Sequence, residues 1–190
     1  MKQFNTWERY FDPKHPKHKY QVARHGWFMD RVHGEKLLDV GCSGGLGLFL
    51  AGKKNDIGEL HGVDICADTV NLARIRLSCY KKKLIILHIA YAEKIPEDDN
   101  YFDCVMCGET LEHVTYDQVV ASELARVTRT GGTLLVSVPK EGHLSKEHVR
   151  LYTKGGLRDL IANAGFDIIE ESEMKASPRG YYLLLKAIKK

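Results

Sequence analysis

The sequence predicts an α/β domain, a doubly wound and mostly parallel seven-stranded sheet covered by helices on both faces, with the last strand antiparallel. Three observations carry this. From residue 36 onward, short apolar runs alternate with segments of helical period, the signature of a parallel sheet with crossover helices. The first run empties into a glycine-rich turn, LLDVGCSGGLG, which must feed a helix. The final two apolar runs are separated only by a short turn, so they read as a hairpin.

In chain order, KLLDV (36–40) is the first strand and the glycine-rich turn leads to a helix near 45–53. ELHGVDI (59–65) is the second strand. A helix over about 67–80 follows, with Val70, Ala73, Leu77 and Tyr80 at core-facing spacing. LIILHI (84–89) is apolar throughout, as expected of a strand covered on both faces. YFDCVMC (101–107) is the fourth strand, a helix spans roughly 115–128, and GGTLLVSVP (131–139) is a fifth strand that Pro139 stops. A polar loop, KEGHLSKEHVRLY, precedes a helix over 154–163 that Gly165 terminates. FDIIEESEM and YYLLLKAI close the sheet around a turn at Ser177 to Gly180. Tyr152, Phe166, Tyr181 and Tyr182 are expected to pack in the core.

Residues 1–34 stand outside the alternation and carry Phe4, Trp7, Tyr10, Phe11, Tyr20, Trp27 and Phe28. A helix near 19–32 fits the pattern, and the segment is expected to be a helical cap or lid on the main domain, residues 35–190. With 190 residues, 44% hydrophobic, one globular domain with a real core is expected. A net charge of +3 does not by itself call for a nucleic-acid or membrane partner. The N-terminus lacks the apolar core of a secretory signal, and no window nears ~18 continuous apolar residues. A soluble, cytoplasmic protein is the expectation. The five cysteines, at 42, 66, 79, 104 and 107, are expected to be reduced. Cys104 and Cys107 have CxxC spacing, but on a strand positions three apart face opposite ways, which argues against a metal or redox pair.

The glycines at 41, 44, 45 and 47 allow the backbone to turn sharply and let a ligand lie against it. Asp64 ends the second strand about 23 residues after Gly41, where a carboxylate can accept from both hydroxyls of a ribose. Such a pair fits NAD and S-adenosylmethionine (SAM) sites alike. The downstream run separates them: AEKIPEDDNYFDCVMCGETLEHV, then ELARVTRTGGTLLVSVP, then LYTKGGLRDLIANAGF.

With these segments in this order, the chain resembles the class I SAM-dependent methyltransferases, in the methyltransferase type 11 branch that includes the ubiquinone-biosynthesis O-methyltransferases. The resemblance covers about residues 36–190 and implies the strand order 3-2-1-4-5-7-6. It implies that Asp39, Gly41, Cys42, Ser43 and Gly45 line the methionine end of SAM. Asp64 would hold the ribose, Ile65 would pack on the adenine, Ala92 and Glu93 would flank its edge, and Gly108 would lie beneath the methionine and sulfonium. Two positions depart from the family pattern: Ser43 stands where a second turn glycine is usual, and Tyr91 stands where an acidic residue usually precedes Ala92. The backbone amide of Ala92 or stacking by Tyr91 could substitute for the lost adenine contact.

Methyl transfer from a sulfonium asks mainly for alignment and, for hydroxyl acceptors, a proton acceptor. GETLEHV offers His113 and Glu109 as candidate catalytic residues. If a helix turn begins there, Glu109, Glu112 and His113 share one face. This ExxEH pattern also resembles the site at which small-RNA 3′-terminal 2′-O-methyltransferases and some ubiquinone-pathway enzymes hold a magnesium-type ion. His143 and His148 in the later loop are candidates to complete such a shell or to meet substrate. The PKHPKHK stretch, with Arg24 and His25 beyond it, gives the N-terminus a positive cast suited to a phosphate or an RNA end. The expected activity is methyl transfer to an oxygen or nitrogen of a small molecule. The rivals are a metal-dependent RNA 2′-O-methyltransferase, a non-catalytic SAM-binding partner subunit and a NAD-dependent enzyme.

Overall fold

A computed structural model describes residues 6–140, 147–178 and 180–190, so Phe4 and His143 lie outside the described residues. The elements are α1 (Thr6–Phe11), α2 (His18–Met29), β1 (Lys36–Val40), α3 (Leu46–Ala51), β2 (Glu59–Asp64), α4 (Ala67–Leu77) and β3 (Leu84–Ile89). They continue with β4 (Phe102–Gly108), a 3₁₀ turn (Leu111–His113), α5 (Asp117–Val127), β5 (Thr128–Pro139), α6 (Lys154–Asn163), β6 (Phe166–Lys175) and β7 (Tyr181–Lys189). The strands form a single sheet in the order β3-β2-β1-β4-β5-β7-β6. The pairs among β1 to β5 are parallel, and β7 is antiparallel to both its neighbours.

Each face of the sheet carries its own core. Leu38, Val40, Val105 and Val136 turn toward Val120 and Leu124 of α5 and Ile161 of α6. Leu37, Cys104, Met106 and Leu135 turn the other way, toward Leu48 of α3, Val70, Ala73 and Leu77 of α4, and Trp27 and Phe28 of α2. The central strands are therefore buried on both faces, which is why they read as continuous apolar runs. Cys104 and Cys107 fall in opposite cores, and no disulfide forms among the five cysteines.

Several expectations are corrected in detail. β3 is the edge strand, with Leu84 and Ile89 about half exposed, because only its inner neighbour and α4 cover it; its apolar composition does not signal cover on both faces. β5 starts at Thr128, directly after α5, since Gly131 and Gly132 form an irregular segment rather than its beginning. α2 ends at Met29, and a short helix, α1, precedes it. Tyr152 and Phe166 are buried as expected, while Tyr181 is exposed. None of the helices among the described residues is long and apolar enough to cross a membrane.

No helix covers the β3–β4 connection. Arg126 of α5 holds it instead, donating to the carbonyls of Ile95 and Glu97 at 2.7 and 2.8 Å and to the carboxylates of Glu123 and Asp99. Glu97 then reaches over the sheet, where its Oε1 lies 2.7 Å from His61 Nδ1 and 3.0 Å from His88 Nε2. Arg126→Lys keeps the charge but cannot make the forked set of bonds, and it is expected to lower stability by about 1–3 kcal/mol in urea unfolding. Glu97→Leu, which strands His61 inside the sheet, is expected to cost a similar amount.

Candidate functional site

The turn after β1 is built by its hydrogen bonds to β2. The amides of Gly41 and Cys42 both donate to the Val63 carbonyl, at 2.8 and 3.0 Å, and the Ser43 amide donates to Asp64 Oδ2 at 2.8 Å. Gly41 adopts φ +78, and a Cβ there would lie 2.0 Å from Thr110 Oγ1, so both conformation and space demand glycine. Ser43 itself adopts φ +46, the left-handed conformation for which glycine is the usual choice at this turn position. The other oxygen of Asp64 accepts from the Cys66 amide at 2.9 Å and from Thr69 Oγ1 at 3.3 Å. Asp64 thus fastens the turn and α4 to the end of β2 while facing the cavity beside them.

That cavity measures about 770 Å³. It brings together nine of the ten cofactor positions expected from the sequence: Asp39, Gly41, Cys42, Ser43, Asp64, Ile65, Ala92, Glu93 and Gly108 line it, whereas Gly45 does not and packs on Ala73. Ile65 and Tyr91 are exposed apolar groups at its rim, where a flat ring can be covered on either side. Gly47 leaves room for Asp39, whose Oδ2 would be 2.6 Å from a Cβ at that position. Burial, together with the charge of Asp64, pushes the Asp39 carboxyl up to about 7 against the pull of Arg24.

The far wall is more polar than the sequence suggested. Arg24 and His25 are buried, at 5% and 7% exposure, and line the cavity, so they are not part of a surface patch with the lysines of PKHPKHK. Arg24 donates to Gln21 Oε1 at 3.0 Å and lies 3.5 Å from Glu109, while its Nε has no partner among the described residues. Glu109 sits at φ +54, directly after β4, and its amide donates to the Ser137 carbonyl at 2.8 Å. Burial raises its carboxyl, but Arg24 and the Tyr182 hydroxyl more than offset this and hold it below the usual range. Tyr182, expected in the core, closes this wall of the cavity.

Glu109, Glu112 and His113 do not share a helix face. The positive φ of Glu109 turns it away before the 3₁₀ turn begins, so Glu109 faces Arg24, whereas Glu112 and His113 face the loop of residue 148. Oxygens or nitrogens of Glu112, His113 and His148 all lie within 4.8 Å of one another. Glu112 is fully buried, and neither carboxylate oxygen has a hydrogen-bond partner among the described residues. Burial and the nearby Glu109 push its carboxyl up to about 8. His113 Nδ1 is 3.0 Å from the Glu147 carbonyl, so Nδ1 carries the hydrogen and Nε2, 3.9 Å from Glu112, is left as an acceptor.

Sequence reasoning missed the aromatic clamp on the turn. The Trp7 indole donates to the Gly44 carbonyl at 2.9 Å, and Arg76 donates to the same oxygen at 3.1 Å while stacking 4.3 Å from the Trp7 ring. Phe49 and Phe11 pack around Trp7. A signal was present for α2: Lys17, Gln21, Arg24 and His25 recur at helical spacing, a polar stripe on a helix whose neighbours are apolar.

Comparison with known proteins agrees with this geometry. The family model for the methyltransferase domain matches residues 38–136. The ubiquinone/menaquinone biosynthesis C-methyltransferase of Neisseria gonorrhoeae is 36% identical over 188 residues, covering 82% of this chain and 75% of that protein. The ubiquinone biosynthesis O-methyltransferase of Dechloromonas aromatica is 29% identical over 68% of this chain, which spans 57% of that protein's length. Among solved structures, the cyclase SpnF superposes with a TM-score of 0.79 over 90% of this chain and 82% of its own, at 17% identity. That last likeness concerns the fold alone. The matched domain, the identity to the Neisseria protein and a cavity lined by the expected SAM positions together place the chain among the class I SAM-dependent methyltransferases.

Proposed function

We propose that the chain transfers a methyl group from SAM to an oxygen or nitrogen of a small-molecule acceptor held between α2 and the loop of residues 147–152. The observation that carries this reading is the shared cavity. The residues expected to hold SAM and a separate polar wall of Gln21, Arg24, His25 and Tyr182 face the same space. When bound, SAM supplies a methyl group already activated by its sulfonium. Asp39 would receive the ammonium of the amino-acid end, with the Nε of Arg24, which has no partner among the described residues, available to its carboxylate. Asp64 would accept from a ribose hydroxyl with its remaining lone pair, and Ile65, Tyr91, Ala92 and Glu93 would enclose the adenine. His113 Nε2 is the group best arranged to take a proton from the acceptor, since the Glu147 carbonyl fixes its tautomer. Glu109 serves instead to hold Arg24. Residues 1–34 act as a lid, because Trp7 grips the Gly44 carbonyl of the cofactor turn.

A second reading is favoured by the buried, unpartnered carboxylate of Glu112. Together with His113 and His148 it offers one oxygen and two nitrogens that fit a divalent cation. Such an ion would polarise the acceptor oxygen when bound. In this reading His113 is a ligand rather than a proton acceptor, and the exposed Lys14, Lys17 and Lys19 make an RNA end a possible acceptor class.

The deciding experiment incubates the purified chain with isotopically labelled SAM and fractionated extract, then follows label by mass spectrometry with and without EDTA. Label on oxygen or nitrogen of a metabolite, unaffected by EDTA, is the expected result. Label on carbon, label on RNA, or loss of activity in EDTA each overturns the corresponding part of the proposal, and absence of any labelled acceptor favours a non-catalytic SAM-binding partner. His113→Ala is expected to lower turnover about 10²–10⁴-fold with little change in affinity for S-adenosylhomocysteine (SAH).

Binding should also depend on pH. The raised Asp39 carboxyl keeps its proton below about 7. It therefore supports the ligand-free fold at low pH, and that support is lost as pH rises through about 7. An ionised Asp39 is what an ammonium group needs, so SAH affinity and the SAH-induced rise in Tm should both increase between about pH 6 and pH 8. Asp39→Asn should weaken SAH by about 10–100-fold and flatten that dependence, as read by calorimetry. Trp7→Ala should speed SAH dissociation several-fold, as read by stopped-flow displacement.

A further inference from the structure

One ring nitrogen of α2 faces the cavity without an assigned use. His25 Nδ1 lies 2.9 Å from the Gln21 carbonyl one turn earlier in the helix. A carbonyl oxygen only accepts, so Nδ1 carries the hydrogen and the lone pair of a neutral ring is on Nε2. Burial and the neighbouring Arg24 hold the imidazole pKa down to about 3, which keeps the ring neutral. Tyr10 packs edge-on against it, with ring centroids 5.4 Å apart, and fixes the ring plane. Gln21 shares the stripe: its Oε1 is taken by Arg24, which leaves its amide N–H group as a donor on the same wall. Among the described residues no side chain pairs with Nε2, so this helix face presents an acceptor next to a donor.

We propose that His25 is a specificity-determining residue for the methyl acceptor, its Nε2 accepting a hydrogen bond from the acceptor's own O–H or N–H group. This rests on the methyltransferase reading above and names the acceptor class more closely: a neutral, hydrogen-bearing hydroxyl or amine rather than an anion, which the lone pair would repel. His25 lines the same cavity as the cofactor turn and lies within electrostatic reach of Glu109. It is not the proton acceptor, because its own cation is disfavoured by Arg24. Transfer forms the bond from the acceptor atom to the methyl carbon as the methyl–sulfur bond breaks, and the proton released passes to His113 Nε2; the product then has one hydrogen fewer to offer His25 and leaves more readily.

The test uses phenol and its methyl ether, anisole, as probes of the SAH-loaded full chain, since Phe28 and Tyr182 provide ring-sized apolar contacts in the cavity. In titrations followed by NMR, phenol is expected to bind about fivefold or more tightly than anisole. His25→Phe, which keeps the ring but not the lone pair, should abolish that preference while leaving SAH affinity unchanged. Equal binding of the two probes, no binding of phenol, or a preference that survives in His25→Phe overturns the proposal, and so does an equal fall in SAH affinity. If the variant does not fold, ¹⁵N spectra of the wild-type histidines decide the point: a hydrogen on His25 Nε2 instead of Nδ1 is incompatible with it. Failure of SAH to bind the wild type would instead remove the methyltransferase reading beneath.

Discussion

The amides of Gly41, Cys42 and Ser43 are held by the Val63 carbonyl and the Asp64 carboxylate, and the cavity takes its shape from these bonds. They force β1 to turn across the end of β2. That turn places Asp39 beneath α3, presents Gly44 to Trp7 and leaves Asp64 lining the cavity. The constraint is steric as well as polar, since a Cβ at Gly41 would collide with Thr110, which itself donates to the Val40 carbonyl at 3.1 Å. The turn after β1 and the segment after β4 therefore lock against each other, as expected where an open α/β sheet binds its ligand.

Around this frame the fold tolerates an unusual density of buried charge. Arg24, Asp39, Glu109 and Glu112 lie in or beside one cavity, and they respond differently because their partners differ. Glu109 has Arg24 and Tyr182 and is held ionised, whereas the Glu112 carboxylate has no hydrogen-bond partner among the described residues and is driven toward its neutral form. Asp39 falls between these, near neutrality. Desolvation penalises all of them, and the separation arises from which charge or hydroxyl each one meets. A buried carboxyl that meets no full compensating charge is a liability to the fold, and Asp39 and Glu112 are both pushed toward their neutral forms.

Much of this was legible in the chain. The strands are buried on both faces and so read as apolar runs, the helices alternate with them, and the hairpin at the end announces the antiparallel strand. The turn after β1 and its bond to Asp64 were legible for a related reason: a sharp strand-to-helix turn has few chemical solutions, and a carboxylate at the next strand end has a fixed reach. β3 misled because an edge strand can be as apolar as a central one. The GETLEHV segment misled because its spacing suits a helix, whereas the backbone at Glu109 turns left-handed first.

The fold could be read from the alternation of apolar runs with helical segments, and the methyl donor from the chain's resemblance to the class I methyltransferases. The contacts of α1 and α2 with the turn, and the sides taken by the charged residues of the cavity, emerged only in the tertiary structure. Arg24 and His25 looked like members of a basic surface run, and 113 residues separate Arg24 from Ser137, to which it donates at 3.5 Å. Glu109 and Glu112 lie three positions apart yet face different partners. Such assignments depend on which distant groups share a desolvated space, and no local pattern in the chain encodes that.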